Sequence, residues 1–254
     1  RRNGIQGRTV KLLEVQRTRM KNKLAITLVM MACFTTQVYA DDTGGNVVYI
    51  KQVAGEGLDL QINQTGYNNT VGDAAALQPY FEIEGDNITA AIVQDGMNNV
   101  IVGNLIGTGT TANITQTGAG NELTLNYGNA GTMDGNLDIT NTGDTNILTL
   151  NFGTTNNTRG YNFDIAITGN DNTITTTTNA QYAIVDVTIT GDENTITTTQ
   201  IGNNGTTNQP GHEIVITADG NGNTITITQD GVTQRNVVNL DLTGNNGQVT
   251  INQH

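Results

Sequence analysis

Sulfur, proline and aromatic side chains are scarce in this chain. Its 254 residues include one cysteine, two prolines, no tryptophan and only 4% aromatic residues. The single cysteine, Cys33, excludes both a disulfide framework and a cysteine metal cluster. Few aromatics with much glycine, asparagine and threonine suit short strands joined by tight turns better than a thick globular core.

Basic residues are also few, and they crowd the N-terminus. Eight of the eleven lie in residues 1–40, together with one of the 23 acidic residues. The remaining chain has three basic and 22 acidic side chains, a formal charge of −19. This charge argues against nucleic acid and an anionic membrane as partners, because both classes of binding require a basic face, and no membrane insertion is predicted.

Residues 20–40 have the features of a secretory signal peptide. Lys21 and Lys23 precede the apolar stretch 24–34, which is too short to span a membrane, and residues 38–40 (Val-Tyr-Ala) resemble a cleavage site. The pattern predicts export and a secreted, extracellular product.

The same signal divides the chain. Met20 is the expected start, so residues 1–19 are interpreted as an upstream, non-native segment. Residues 41–254 are predicted to form one domain.

A Gly-x-x-Asn phrase recurs along this domain at intervals of 22 to 30 residues. The asparagine follows three residues after the glycine in each copy but the last, where Gly247 stands. A period of this size indicates stacked repeats. The turn glycines are Gly66, Gly96, Gly118, Gly143, Gly169, Gly191, Gly220 and Gly244.

Apolar and polar residues alternate on both sides of each phrase, which indicates β-strands. Two arrangements fit, a hairpin meander and a β-solenoid, and the recurrence of the same residue types at the same positions favours the solenoid. The sequence predicts an all-β solenoid of about eight strand–turn–strand repeats with two facing parallel sheets. Each turn is expected to need a positive φ somewhere, which glycine adopts without a clash and asparagine tolerates better than most residues.

Amide side chains fall at inward positions of this pattern, where stacked copies can bond to one another. One set lies two residues before the turn glycine, and another ends the second strand. The predicted ladder and turn residues, besides the glycines, are Gln64, Gln94, Gln116, Asn141, Gln200 and Gln229 with Asn69, Asn99, Asn121, Asn146, Asn172, Asn194 and Asn223.

The phrase and its amides resemble the curlin family, the subunits of curli fibres, whose repeat reads Ser-x5-Gln-x-Gly-x2-Asn-x-Ala-x3-Gln. The resemblance covers residues 47–254, although Leu58 replaces the leading serine and isoleucine or leucine mostly replaces the alanine. It implies a secreted β-solenoid that polymerises into extracellular amyloid fibres of the biofilm matrix and mediates adhesion. It also implies export through an outer-membrane pore and nucleation by a partner at the cell surface.

Both ends of the predicted stack read as open strands. The first runs through Val47 and Tyr49 and the last through Val249 and Ile251, without proline or charge blocking in the last. These four residues are the predicted polymerisation edges, through which the chain would join itself head to tail.

Signals of catalysis or of cofactor binding are missing, so no enzyme and no cofactor are predicted. His212 and His254 are expected to be exposed, one in a loop and one at the terminus. Carboxylates at equivalent turns suggest at most weak calcium binding along one edge of the solenoid, since the glycine-rich nonapeptide of calcium-binding β-rolls is absent. These carboxylates are Asp171, Asp192, Glu193 and Asp219.

Threonine rows on the outward face allow an alternative function, an ice-binding solenoid. Thr-x-Thr units begin at Thr173, Thr195 and Thr224 in three consecutive repeats, as on ice-binding solenoids. A solvent-facing strand role accounts for them more simply. A surface adhesin solenoid is the other alternative to a fibre subunit.

Overall fold

The computed structural model describes residues 35–253 except 41–44, 49, 53–55, 73–80, 119, 129–132, 144, 154–158, 170, 180, 192, 202–211, 221, 231–235 and 245. Residues 1–34, Tyr49, Asp192 and His254, on which several of the predictions fall, lie outside the described residues.

Strands make up the regular structure of the described residues, which contain no helix. In chain order they are β1 (Thr35–Ala40), β2 (Lys51–Gln52), β3 (Asp59–Thr65), β4 (Glu82–Glu84), β5 (Thr89–Asp95), β6 (Val100–Ile106), β7 (Thr111–Thr117), β8 (Gly120–Tyr127), β9 (Met133–Thr142), β10 (Thr145–Phe152), β11 (Arg159–Thr168), β12 (Asp171–Thr178), β13 (Gln181–Thr190), β14 (Thr195–Ile201), β15 (Glu213–Asp219), β16 (Thr224–Asp230), β17 (Val237–Thr243) and β18 (Gln248–Gln253).

The described strands form two parallel sheets of nine strands each. Odd-numbered strands make the odd sheet and even-numbered strands the even sheet, and each strand pairs with the one two places along the chain. One odd and one even strand therefore make one rung of a coil. The predicted β-solenoid with facing parallel sheets is confirmed: β3 to β18 correspond to the eight repeats, and β1 with β2 adds a rung before them.

The core is a thin layer between the two sheets, which suits residues no larger than isoleucine at most positions. Along β16, Ile225, Ile227 and Gln229 are buried whereas the threonines between them face outward. The period-two alternation of the sequence thus sorts the side chains, because successive residues of a strand point to opposite faces.

An aromatic cluster lies near the middle of this core. Phe152 stacks on Phe163 with 3.6 Å between ring centroids, and Tyr127 meets Tyr161 edge to face at 5.7 Å. The Tyr127 hydroxyl donates to the carbonyls of Thr110 and Asn136, and burial raises the pKa of this phenol far above its usual range. The Tyr127 hydroxyl is thus satisfied within the fold, and the four buried rings act as packing.

The first strand, β1, lies within the segment predicted as a signal peptide. It pairs with β3 in parallel over six residues, from Thr35 opposite Asp59 to Ala40 opposite Gln64. The predicted cleavage point follows its last residue, so the predicted domain 41–254 starts with β2 of the even sheet.

Candidate functional site

Asparagine side chains close the turn at each repeat from inside the coil. The seven asparagines of the Gly-x-x-Asn phrase are at most 1% exposed. Five of them donate to the carbonyl of the glycine three residues earlier, at 2.7 Å for Asn172 and 3.1 Å for Asn146. The amide thus satisfies a carbonyl that the tight turn would otherwise leave without a donor.

These asparagines also bond from rung to rung. Asn121 donates to Asn146 at 2.8 Å, and Asn146 donates to Asn172 at 2.9 Å. Asn99 likewise donates to Asn69 at 2.7 Å. A buried amide has few alternatives to a partner of its own kind, so the column favours in-register stacking over any other register.

Glycine is required beside these asparagines because successive turns stack in close contact. A Cβ built on any of the seven turn glycines after Gly66 would lie 1.5–1.8 Å from the carbonyl oxygen of the turn glycine one rung earlier. Within this column a positive φ is found at Gly66 (114°) and Gly118 (151°), so the other members do not owe their glycine to that backbone conformation. Close approach of the backbones, rather than handedness of the turn, excludes a side chain.

A glutamine ladder occupies the odd sheet at the N-terminal end. Gln94 donates to Gln64 at 2.7 Å, and Gln116 donates to Gln94 at 3.0 Å. Asn141 follows in the same column, and its shorter side chain finds no hydrogen-bond partner among the described residues. Beyond it the column becomes apolar through Ile167, Ile189, Ala218 and Leu242.

A second glutamine ladder lies in the even sheet at the opposite end. Gln229 donates to Gln200 at 3.0 Å, and Gln253 donates to Gln229 at 2.7 Å. Gln253 was absent from the predicted ladder. The six-residue interval from Gly247 equals that from Asn223 to Gln229, and this interval is the signal that identifies it.

The last rung exposes aliphatic side chains whose counterparts in the preceding rungs are buried. Val249 and Ile251 are 42% and 45% exposed, whereas the residues they stack on, Ile225 and Ile227, are at most 1% exposed. Near the other end Val47 is half-buried, and its neighbour Val48 is fully buried.

His212 is buried, not exposed as the sequence analysis expected. It directly precedes β15, and its Nδ1 accepts a hydrogen bond from the Ala183 backbone N–H at 3.4 Å. Its position is opposite Ala183 in the odd sheet, so it faces inward. Burial lowers the pKa of this imidazole to about 4.

We expect His212 to make the fold sensitive to acid. Since its folded pKa lies below the ordinary 6.5, its contribution is complete above pH 6.5 and is lost as pH falls toward 4. The free energy of unfolding should fall by up to about 3 kcal/mol over this range. Denaturant titrations of the wild-type protein and of His212→Leu at several pH values measure it. Equal pH dependence of the two proteins contradicts the expectation.

A row of carboxylates lines the outside of the odd sheet. Asp138, Asp164 and Asp186 stack in register beside a shallow open cleft of about 230 Å³. Partial burial, then Asp164 and Glu213, raise the pKa of Asp186. A raised carboxyl pKa favours the folded state as pH falls, so Asp186 acts against His212. Comparison with His212→Leu separates the two effects.

The described residues contain no grouping of three or more acidic, histidine or cysteine side chains placed to hold a metal ion. In the same part of the chain, no helix has the length and hydrophobicity needed to cross a membrane. No protein-family model, curated protein or solved structure matches the chain.

Proposed function

We propose that this protein is a secreted structural subunit that polymerises head to tail into extracellular, curli-like amyloid fibres for the biofilm matrix and adhesion. The observation that carries the proposal is the in-register repetition of inward columns. Each parallel rung offers the next the same backbone ladder and nearly the same amide and aliphatic positions. A second copy of the chain can continue such a stack in the same parallel register.

The last rung supports this assembly mode. Its Val249 and Ile251 lie uncovered, and β18 pairs on one side only within the described residues. A subunit seated there would bury both side chains and complete the backbone hydrogen bonds of the edge. Gln253 would extend its ladder into that subunit.

The predicted signal peptide and the resemblance to curlins support the extracellular part of the proposal. The resemblance also suggests two further partners, a secretion pore and a surface nucleator. With a formal charge of −19 after residue 40, self-repulsion would delay association until the chains are concentrated outside the cell.

Fibre formation by the secreted protein tests the proposal. The product of the full-length gene, purified from the medium and held at tens of micromolar, should grow thioflavin-positive fibres visible by negative-stain microscopy. Because a soluble solenoid has the same strand spacing of about 4.8 Å, microscopy and sedimentation must show the polymer itself. A product that stays monomeric and thioflavin-negative for days contradicts the proposal.

A regular threonine array favours ice binding as the second candidate. One outward column of the even sheet holds threonine in six consecutive rungs, and two flanking columns hold it in three. The long column contains Thr124, Thr149, Thr175, Thr197, Thr226 and Thr250. Thermal hysteresis of the monomer, lost in Thr197→Lys, would support this candidate. Fibre growth without hysteresis supports the first.

A further inference from the structure

The strand count of the two sheets depends on β1. With β1, the odd and even sheets each hold nine described strands and every rung is whole. If the predicted cleavage after Ala40 occurs, the odd sheet loses one strand while the even sheet keeps β2. The first rung of the processed protein is then half empty, with the edge of β3 uncovered beside β2.

The edge of β3 that cleavage would uncover, called here the β3 edge, accepts a strand whose direction and length are given by β1. β1 occupies it in parallel over the six pairs from Thr35 opposite Asp59 to Ala40 opposite Gln64. β3 carries no proline, and Asp59 is its single charged residue, so the usual devices that block an edge are weak here.

The Gln64 side chain indicates which residue a strand bound at the β3 edge should carry. It is 1% exposed, and its Oε1 accepts from Gln94 on the next rung. Its Nε2 finds no acceptor among the described residues. The ladder runs by donation toward the N-terminus, so the missing acceptor belongs at the position opposite Gln64, where alanine has none to offer.

We propose that the processed N-terminal edge of the odd sheet is a docking site for a parallel strand of another chain that carries glutamine or asparagine opposite Gln64. This inference rests on the proposed export and cleavage. An amide there accepts from Gln64 Nε2 and extends the first ladder by one member. A strand with an apolar residue at that place leaves the buried donor unpaired.

The chain's own last odd strand lacks this amide. Leu242 of β17 stands in the same column as Gln64, at the other end of the sheet. In a joint between two copies that keeps β18 next to β2, the position of β1 is vacant. The guest strand therefore comes from a second kind of subunit that carries the amide, and not from β17 of an identical copy.

Peptide binding to the secreted product tests the site. Mass spectrometry should first place its N-terminus at Asp41. Three labelled peptides spanning residues 35–40 are then compared by fluorescence anisotropy: the natural sequence, Ala40→Gln and Ala40→Leu. We expect the Ala40→Gln peptide to bind about tenfold more tightly than Ala40→Leu, equivalent to about 1.4 kcal/mol. Val38→Pro should abolish binding by breaking the strand.

Matched protein variants locate the preference. In Gln64→Leu, which places in this column the residue that β17 already has there, the preference for the Ala40→Gln peptide should disappear. In Gln229→Leu, which alters the other ladder, the preference should persist. Equal binding of the two peptides to wild-type protein, no binding of either, or a secreted product that retains residues 35–40 overturns the inference.

Fibre growth is scored separately from these affinities. Fibres without peptide discrimination overturn the docking site and leave the proposed polymer intact. Peptide discrimination without fibres overturns the proposed polymer and leaves the docking site intact.

Discussion

The Gly143→Ala variant should lose about 3–5 kcal/mol of unfolding free energy, an unusually large effect for adding one methyl group. The added Cβ would lie 1.6 Å from the carbonyl oxygen of Gly118 and 2.5 Å from the amide nitrogen of Asn121. Both atoms belong to the turn of the preceding rung, so the turns must separate. Separation would lengthen the bond that Asn121 donates to Asn146 across the two rungs.

Gly120→Ala is the matched control for this variant. Gly120 begins β8 two residues after the preceding turn glycine, and a Cβ there would have its nearest neighbour at 3.5 Å, an ordinary contact. We expect a change within about 1 kcal/mol, because the added methyl group makes only ordinary contacts and alanine restricts the unfolded chain.

Denaturant unfolding of soluble subunits, with hydrogen exchange of β8 and β10, measures both variants. Repeat proteins can open locally, and exchange shows whether the damage stays near the altered turn. Equal destabilisation by the two alanines would mean that close stacking of the turns does not explain the glycine column.

The architecture was predictable because the solenoid repeats one local pattern. Alternation around Ile225 and Ile227 identifies the strands and their inward faces, and the recurring turn sets the number of repeats. Parallel pairing follows, because each turn places a strand over its own counterpart from the preceding repeat.

Other features depended on contacts that no local pattern carries. The burial of His212 comes from its place opposite Ala183, although the neighbouring sequence reads as a loop. The aromatic cluster needs Tyr127 and Phe163 to meet across the core from strands of different sheets. The glycine column resembles a conformational requirement in sequence, and only the stacked backbones show that it is a steric one.

The Ile251→Lys variant should raise the subunit concentration needed for fibre growth about 100-fold. In the proposed joint this side chain is covered by the next subunit, as Ile227 is covered within the chain. An unpaired lysine charge buried there costs roughly 3 kcal/mol or more. Because Ile251 is 45% exposed in the single subunit, the variant should fold with nearly unchanged stability.

Thr250→Lys provides the control on the same strand. Thr250 is exposed on the outward face of β18, so a lysine there stays in water and should change the critical concentration less than about threefold. Sedimentation of fibres at increasing subunit concentrations measures both variants, and circular dichroism verifies that each keeps its strands. Equal effects of the two lysines would show that general charge, and not the inward column, governs growth.

Mixing experiments give the polarity of growth. The N-terminal rung of Ile251→Lys is unaltered, so the variant can still add to a wild-type fibre end that exposes β18. Once added, it presents Lys at 251 and stops further addition at that end. Small fractions of the variant should therefore slow seeded elongation far more than their share of the subunits, as expected when each blocked end removes one growing site. Inhibition merely proportional to its share would contradict head-to-tail joining through β18.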